Sequence, residues 1–289
     1  MAERPDAAVT VVPEPDVVRA LHDLGFEPSS FTPIGGYPRW RQGRVTYRVE
    51  LTSGDVVKVR RLTRTLAPKR AARLVAALDD PDLPAPLFLE GRVTVERWID
   101  GDSLATIGAR SRDVDGAADL LARLHARTLV PGHAFRRVGS LVPLYEKTCA
   151  RIDALQDVGL LTRGEQRRLV KELRGGLPAR ATRGVVHGDL CAHNLVVTAD
   201  GRVVSIDNER VRIDFLDLDL ARTWLRWPMS TREHARFERR YASWGRPVPE
   251  GSEAASWRVC AAVKSAITLR GTPSVGRDLA RAQLDRLFE

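Results

Sequence analysis

The sequence predicts an α+β fold in two lobes, a small N-terminal antiparallel β lobe over residues 1–100 and a larger, mostly helical C-terminal lobe over 101–289. Three observations carry this expectation. Short runs with period-two alternation dominate up to residue 99, whereas amphipathic segments of helical period dominate from residue 113 onward. Between those helical segments, near residue 200, lies one isolated β-hairpin signature.

In chain order, residues 16–24 set Val17, Val18, Ala20, Leu21 and Leu24 at helical spacing and close on Gly25, which predicts a short helix. Residues 31–34, 44–51 and 56–60 read as strands, the last two joined through Thr52-Ser53-Gly54-Asp55. Residues 35–43 connect the first two. The missing side chains of Gly35 and Gly36 would let backbone N–H groups approach phosphate oxygens; an ordinary hairpin loop is the alternative. Alternation puts Val56 and Lys58 on one face, so Val56 could roof a flat base while Lys58 reaches phosphates; a solvated strand lysine is the alternative. The helix predicted over 68–78 holds no glutamate to pair with Lys58, and its first acids, Asp79 and Asp80, come at its end. Residues 92–99 read as a further strand running into Asp100-Gly101. The lobe should therefore be mainly antiparallel sheet with one helix.

Beyond residue 101, residues 113–127 form a strongly amphipathic helix, and His125 beside its apolar face reads as a packed histidine. Residues 141–155 and 166–173 continue the helical period, the second started by the capping box Thr162-Arg163-Gly164-Glu165. Helices over 231–244, 253–269 and 277–288 complete the chain. Trp224, Trp227, Trp244 and Trp257 fall at spacings that suit helix packing, with an aromatic substrate box as the alternative.

Composition bounds the function. Hydrophobic content of 43% and charged content of 29% are those of a globular chain and argue against disorder. Three cysteines, Cys149, Cys191 and Cys260, are odd in number and far apart, which fits a reducing cytoplasm better than a disulfide framework. Residues 1–16 carry acids and prolines with no apolar core, so no secretion signal is expected, and no apolar run approaches the ~20 residues of a membrane span. The net charge of +9 comes from dispersed arginine, without a basic tail or aromatic interleaving, which argues against a nucleic-acid partner.

The chemistry concentrates in residues 185–209, V-V-H-G-D-L-C-A-H-N-L-V-V-T-A-D-G-R-V-V-S-I-D-N-E. Two apolar runs, 195–197 and 203–206, flank the turn 198–202. The spacing brings Asp189, Asn194 and Asp207 to one end of one hairpin. Phosphoryl transfer needs such a set, with an Asp near the acceptor hydroxyl and an Asn and a second Asp holding Mg2+ against nucleotide phosphates. His187 and His193 lack a Cys or third His at zinc spacing, so His187 reads as loop support.

This segment resembles the catalytic segment of the aminoglycoside phosphotransferase and choline kinase-like family, relatives of the protein kinases that act mostly on small hydroxyl compounds. The resemblance runs from about Ile34 to Trp227; Asn208-Glu209 stands where the family often has an aromatic residue followed by Glu, and Asp219-Leu220-Ala221 resembles its recurrent D-L-A. It implies a bilobal protein-kinase-like fold, with Asp189 as catalytic base and Asn194 and Asp207 as Mg2+ ligands. It further implies that the Arg97 carbonyl and Ile99 amide hold the base of ATP or GTP in a cleft between the lobes. The expected activity is transfer of a γ-phosphoryl group to a hydroxyl of a small molecule. A Ser/Thr kinase acting on a peptide and a nucleotide-binding scaffold without turnover are the alternatives. Arg222, Arg226, Arg232, Arg236, Arg239, Arg240 and Arg246, against Glu233, Glu238 and Glu250, favour a neutral or anionic acceptor over a polycationic one.

Overall fold

The computed structural model describes residues 12–34, 45–62, 67–127, 129–130, 133–134, 137–270 and 276–288. The chain divides into two compact units, Met1–Asp100 and Gly101–Glu289.

The first unit contains α1 (Pro15–Asp23), β1 (Pro28–Pro33), β2 (Val45–Leu51), β3 (Val56–Arg61), α2 (Ala67–Leu78), β4 (Phe88–Glu90) and β5 (Val93–Arg97). It therefore holds two helices among its described residues, not one. Proline begins α1, where the first-turn N–H groups have no intrahelical partner to lose. The strands form one antiparallel sheet in the order β1-β2-β3-β5-β4. Period-two burial sends Val45, Tyr47 and Val49 of β2, Val57 and Val59 of β3, and Val93 and Val95 of β5 into a common core with Val17 and Leu21 of α1. Val56 and Lys58 lie on the opposite, less buried face of β3. Gly35 and Gly36 lie outside the described residues.

The second unit opens with β6 (Asp102–Ser103), α3 (Leu104–Ile107), α4 (Ser111–Ala126), β7 (Leu129–Val130), β8 (His133–Ala134) and β9 (Arg137–Ser140). It continues with α5 (Val142–Asp157), α6 (Arg163–Gly176), β10 (Arg180–Val186), β11 (Leu195–Val197), β12 (Val203–Ser205) and β13 (Arg212–Phe215), and closes with α7 (Leu216–Arg226), α8 (Thr231–Ala242), α9 (Gly251–Leu269) and α10 (Gly276–Asp285). Its small sheets run β13-β10-β9, β12-β11-β6 and β7-β8. At its first residue the backbone of Gly101 has φ 145°, and a β-carbon there would run into the Val197 carbonyl on β11. Only glycine fits beneath that strand.

Two apolar cores hold this unit. One gathers Ile152, Leu155, Leu169, Leu173, Trp257 and Val263; the other gathers Val114, Leu121, Leu195, Phe237 and Tyr241, with α4 packed against both the hairpin and α8. The predicted capping box forms, with Thr162 Oγ1 accepting from Glu165 N–H (3.2 Å) and the Glu165 carboxylate accepting from Thr162 N–H (2.8 Å). The tryptophans do not share one box. Trp227 packs edge-on to Phe237, Trp257 lies by Phe215, Trp224 sits between the guanidinium groups of Arg258 and Arg286, and exposed Trp244 donates to Asp119. Among the described residues, no helix is long and apolar enough to cross a membrane.

Candidate active site

The site is built on the β11–β12 hairpin. Leu195, Val196 and Val197 pair with Ser205, Val204 and Val203, and all six are buried. One step beyond the ladder the Ile206 N–H donates to the Asn194 carbonyl (2.9 Å), so the hairpin's open end carries Asn194 and, next along, Asp207. The Asn194 Nδ2 group donates to the Asp189 carbonyl (2.8 Å). That bond fixes the amide's orientation and leaves Oδ1 as the end that can face a cation. Asp207 takes a left-handed backbone, φ 66° and ψ 42°. For a residue with a β-carbon this costs roughly 1 kcal/mol or more, which the surrounding structure must supply.

A hydrogen-bond chain ties the loop of Asp189 to the loop of Asp207. The Asp189 N–H donates to His187 Nδ1 (3.2 Å), so Nε2 bears the proton and donates to Ser205 Oγ (2.6 Å); the Ser205 hydroxyl in turn donates to Asn208 Oδ1 (2.8 Å). Burial holds the His187 pKa below the ordinary imidazole value, in keeping with a neutral ring. The loop also hangs from α7, where the Asp219 carboxylate accepts from the backbone N–H groups of His187 and Gly188, both at 2.8 Å. His125 Nε2 lies 3.2 Å from the same carboxylate and its Nδ1 is 2.7 Å from the Tyr241 hydroxyl. Burial pushes the Asp219 pKa up, but the His125 bond, with the charges of His125, His187 and Arg212, outweighs it and brings the group to about 2. Gly188 has φ 78°, and a β-carbon would collide with Arg212 and lie 2.8 Å from the Arg210 carbonyl.

Asp189 itself is 14% exposed, with Oδ1 3.4 Å from Arg226 Nε and Oδ2 3.7 Å from Arg210 Nε. In the first unit, Lys58 Nζ lies 3.4 Å from Glu96 Oε2, directly across the β3–β5 ladder, and buried Arg60 bonds the other carboxylate oxygen. The missing helix glutamate is thus replaced as a partner by a strand glutamate. Burial pushes the Glu96 pKa up, yet Arg60 and Lys58 together hold it below the usual range. The predicted strand over 92–99 ends early, at Arg97. Trp98 N–H still donates to Val56 O (3.2 Å), and Val95 O accepts from Leu87 N–H on the opposite side (2.8 Å). Alternation therefore aims the backbone groups of Arg97 away from β3, while Ile99 lies beyond the end of the strand.

Sequence reading missed Ser205, Glu96 and Arg210, and gave Arg226 only as one of seven C-terminal arginines, without its contact to Asp189. Glu96 had a usable signal, since it alternates in phase with Lys58 once β3 and β5 pair. Among the described residues no trio of His, Cys, Asp and Glu is arranged to hold a metal. The donors offered are one carboxylate and one carboxamide oxygen. They fit Mg2+, a hard cation that keeps several waters and takes further ligands from phosphates.

These features define a kinase-like phosphotransferase fold, and the comparisons place the chain within it. Residues 38–253 match the model of the phosphotransferase enzyme family (APH), and the chain belongs to that family. Among solved structures it is similar to a macrolide 2'-phosphotransferase type I, with TM-score 0.68 and 17% identity over 96% of this chain and 99% of that one. It also resembles the choline kinase of Streptococcus pneumoniae, with TM-score 0.65 and 16% identity over 94% and 96% of the two chains. A Plasmodium vivax ethanolamine kinase matches with TM-score 0.64 and 14% identity over 96% and 84%. Among curated proteins, no sequence matches the chain.

Proposed function

We propose that the protein transfers the γ-phosphoryl group of ATP or GTP to a hydroxyl of a small molecule that is neutral or anionic. The observation that carries this reading is the open end of the hairpin, where Asn194, oriented by the Asp189 carbonyl, stands beside Asp207. Residues 1–100 would serve as the nucleotide-binding lobe and 101–289 as the catalytic and acceptor-binding lobe. Asn194 Oδ1 and Asp207 would hold Mg2+, which when bound neutralises phosphate charge and orients the γ-phosphoryl group. Lys58, steadied by Glu96, meets the phosphates, and Gly35 and Gly36 cover them. Val56 roofs the base, which the Arg97 carbonyl and Ile99 amide hold by its edge. Asp189 aligns the acceptor hydroxyl and receives its proton, so most of the rate comes from positioning and electrostatics. The case for a scaffold without turnover rested on a missing partner for Lys58, and Glu96 supplies one.

The test is mass spectrometry for a phosphate gain, with Mg2+ and ATP or GTP, across alcohols, sugars and aminoglycosides. Asp189→Asn should fold and bind Mg-nucleotide nearly as the wild type does, while turnover drops by at least ~10²-fold, the scale for loss of a positioned base. Near-normal turnover by the folded variant would remove Asp189 from the mechanism.

A further inference from the structure

A recess opens beside Asp189, between α7 and α9. Its charged lining is Arg210, Arg222, Arg226 and Lys264, with Asp189 as the lone acid. Helical geometry gathers these groups: Arg222 and Arg226 stand one turn apart on α7, and Ala261, Lys264, Ser265 and Thr268 share one face of α9.

Elsewhere in this unit several arginines are matched by acids. Arg236 meets Asp115, Arg240 meets Asp119, Arg246 meets Asp217 and Arg281 meets Glu165, each within 2.5–2.7 Å. The recess departs from that pattern. Arg222 Nη1 is buried there with no hydrogen-bond partner among the described residues. Of the further acids close by, Asp219 is taken up by the His187 and Gly188 N–H groups and His125, and Asp214 is engaged by Arg212 at 2.7 Å and lies 4.0 Å from Lys264. Burial and the positive charge of Arg212 lower the Arg222 pKa to about 10; burial, with Arg222 and Arg212, lowers that of Lys264 to about 8. Four cations here share Asp189 and the outlying Asp214, and the buried Arg222 guanidinium is the one whose charge is most costly to leave without an opposite partner. An anion entering the recess could take charge-assisted bonds from the guanidinium and ammonium groups together.

Building on the phosphotransferase reading, we infer that the acceptor is an alcohol bearing an anionic group, a carboxylate or a phosphate. That group sits among Arg222, Lys264 and Arg210 while the hydroxyl reaches Asp189. In this arrangement Arg226 has two ligands to choose between, since it already lies against the Asp189 carboxylate.

Glycerate and glycerol 3-phosphate, with glycerol as the neutral match and an aminoglycoside as the polycation, are titrated by calorimetry into the full-length protein and into Lys264→Met and Lys264→Arg. Magnesium-dependent turnover is measured alongside. At least one charged probe should bind ~10-fold or more tighter than glycerol, weaken ~10-fold in Lys264→Met, and recover to within ~3-fold of wild type in Lys264→Arg. The tighter of the two charged probes assigns the anionic group. Arg222→Gln carries the same expectation should Lys264→Met fail to fold. Equal binding of charged and neutral probes, tighter binding of the aminoglycoside, or an unchanged affinity in Lys264→Met overturns the inference and leaves phosphoryl transfer standing. Anion binding without magnesium-dependent turnover of nucleotide overturns it through the failure of the phosphotransferase reading itself.

Discussion

Asp219 touches no proposed substrate atom, yet the loop of Asp189 hangs from its two oxygens. Each accepts one backbone N–H, from His187 and Gly188, and an asparagine there could accept only one of them. Asp219→Asn is therefore expected to lose about 2–3 kcal/mol of stability at pH 7 and more than ~10-fold in turnover. The pH dependence follows from the depressed pKa. Because the folded value, about 2, lies below the ordinary 3.8, the stabilisation is fully present above about pH 4 and is lost as pH falls through 2. Urea unfolding at pH 7, 4 and 2.5 should show the wild type losing roughly 2 kcal/mol across that window and the variant losing less; parallel losses would deny Asp219 this role. At this scale the sequence was informative where chemistry is contiguous. Asp189, Asn194 and Asp207 could be found from spacing around one turn. Ser205 could not, because its bonds to His187 and Asn208 join separate loops and a serine inside an apolar run looks like any strand residue.

The pairing of β3 with β5 places Lys58 opposite Glu96, and buried Arg60 draws on the same carboxylate. Removal of the shared acid and removal of the less buried cation should therefore differ in cost. Glu96→Ala strands Arg60 in the interior and should destabilise the protein by about 3 kcal/mol, whereas Lys58→Met leaves the Arg60–Glu96 pair intact and should cost under about 1 kcal/mol while raising the KM for nucleotide at least ~10-fold. Denaturant unfolding and a nucleotide titration separate the effects, and a stable Glu96→Ala protein would show that Arg60 does not depend on it. Most helices were legible from their period, their bounds shifting by a few residues, but the short α3 and also α7 were not, the first turns of α7 reading Leu216-Asp217-Leu218-Asp219-Leu220 in strict alternation. The strands β10 and β13 were not, because Thr182, Arg183, Arg212 and Asp214 interrupt their apolar alternation. The loss of pattern has a physical cause. These strands belong to a small sheet whose polar positions serve Asp214 and its arginines, so only part of each strand is buried.

Across the whole molecule, the change of period from two to 3.6 near residue 100 was enough to give the fold class, since each period dictates which faces can be buried. The acceptor side was harder to read. Net charge and a count of C-terminal arginines carry the expectation of a neutral or anionic acceptor, but they do not distinguish Arg236, Arg240 and Arg246, which are paired with acids, from Arg210, Arg222, Arg226 and Lys264, which line the recess beside Asp189. A molecule with a net charge of +9 also attracts anions before contact. For an anionic acceptor, kcat/KM should fall roughly three- to tenfold between 0.05 and 0.5 M salt, while a matched neutral acceptor changes little, because screening shortens the reach of the field to a few ångströms. Steady-state rates over a salt series measure this, and identical slopes for the two acceptors would refute it.

The left-handed turn at Asp207 bears on how this chain can diverge. Aspartate occupies a backbone conformation that asparagine and glycine adopt with less strain, so either replacement is conformationally welcome where the cation would be held. If Asp207 holds the cation as proposed, a single substitution would silence the chemistry while leaving the hairpin, the relay through His187 and Ser205, and both apolar cores of the second unit in place. Descendants of such a sequence can drift into non-catalytic relatives without first passing through an unstable ancestor.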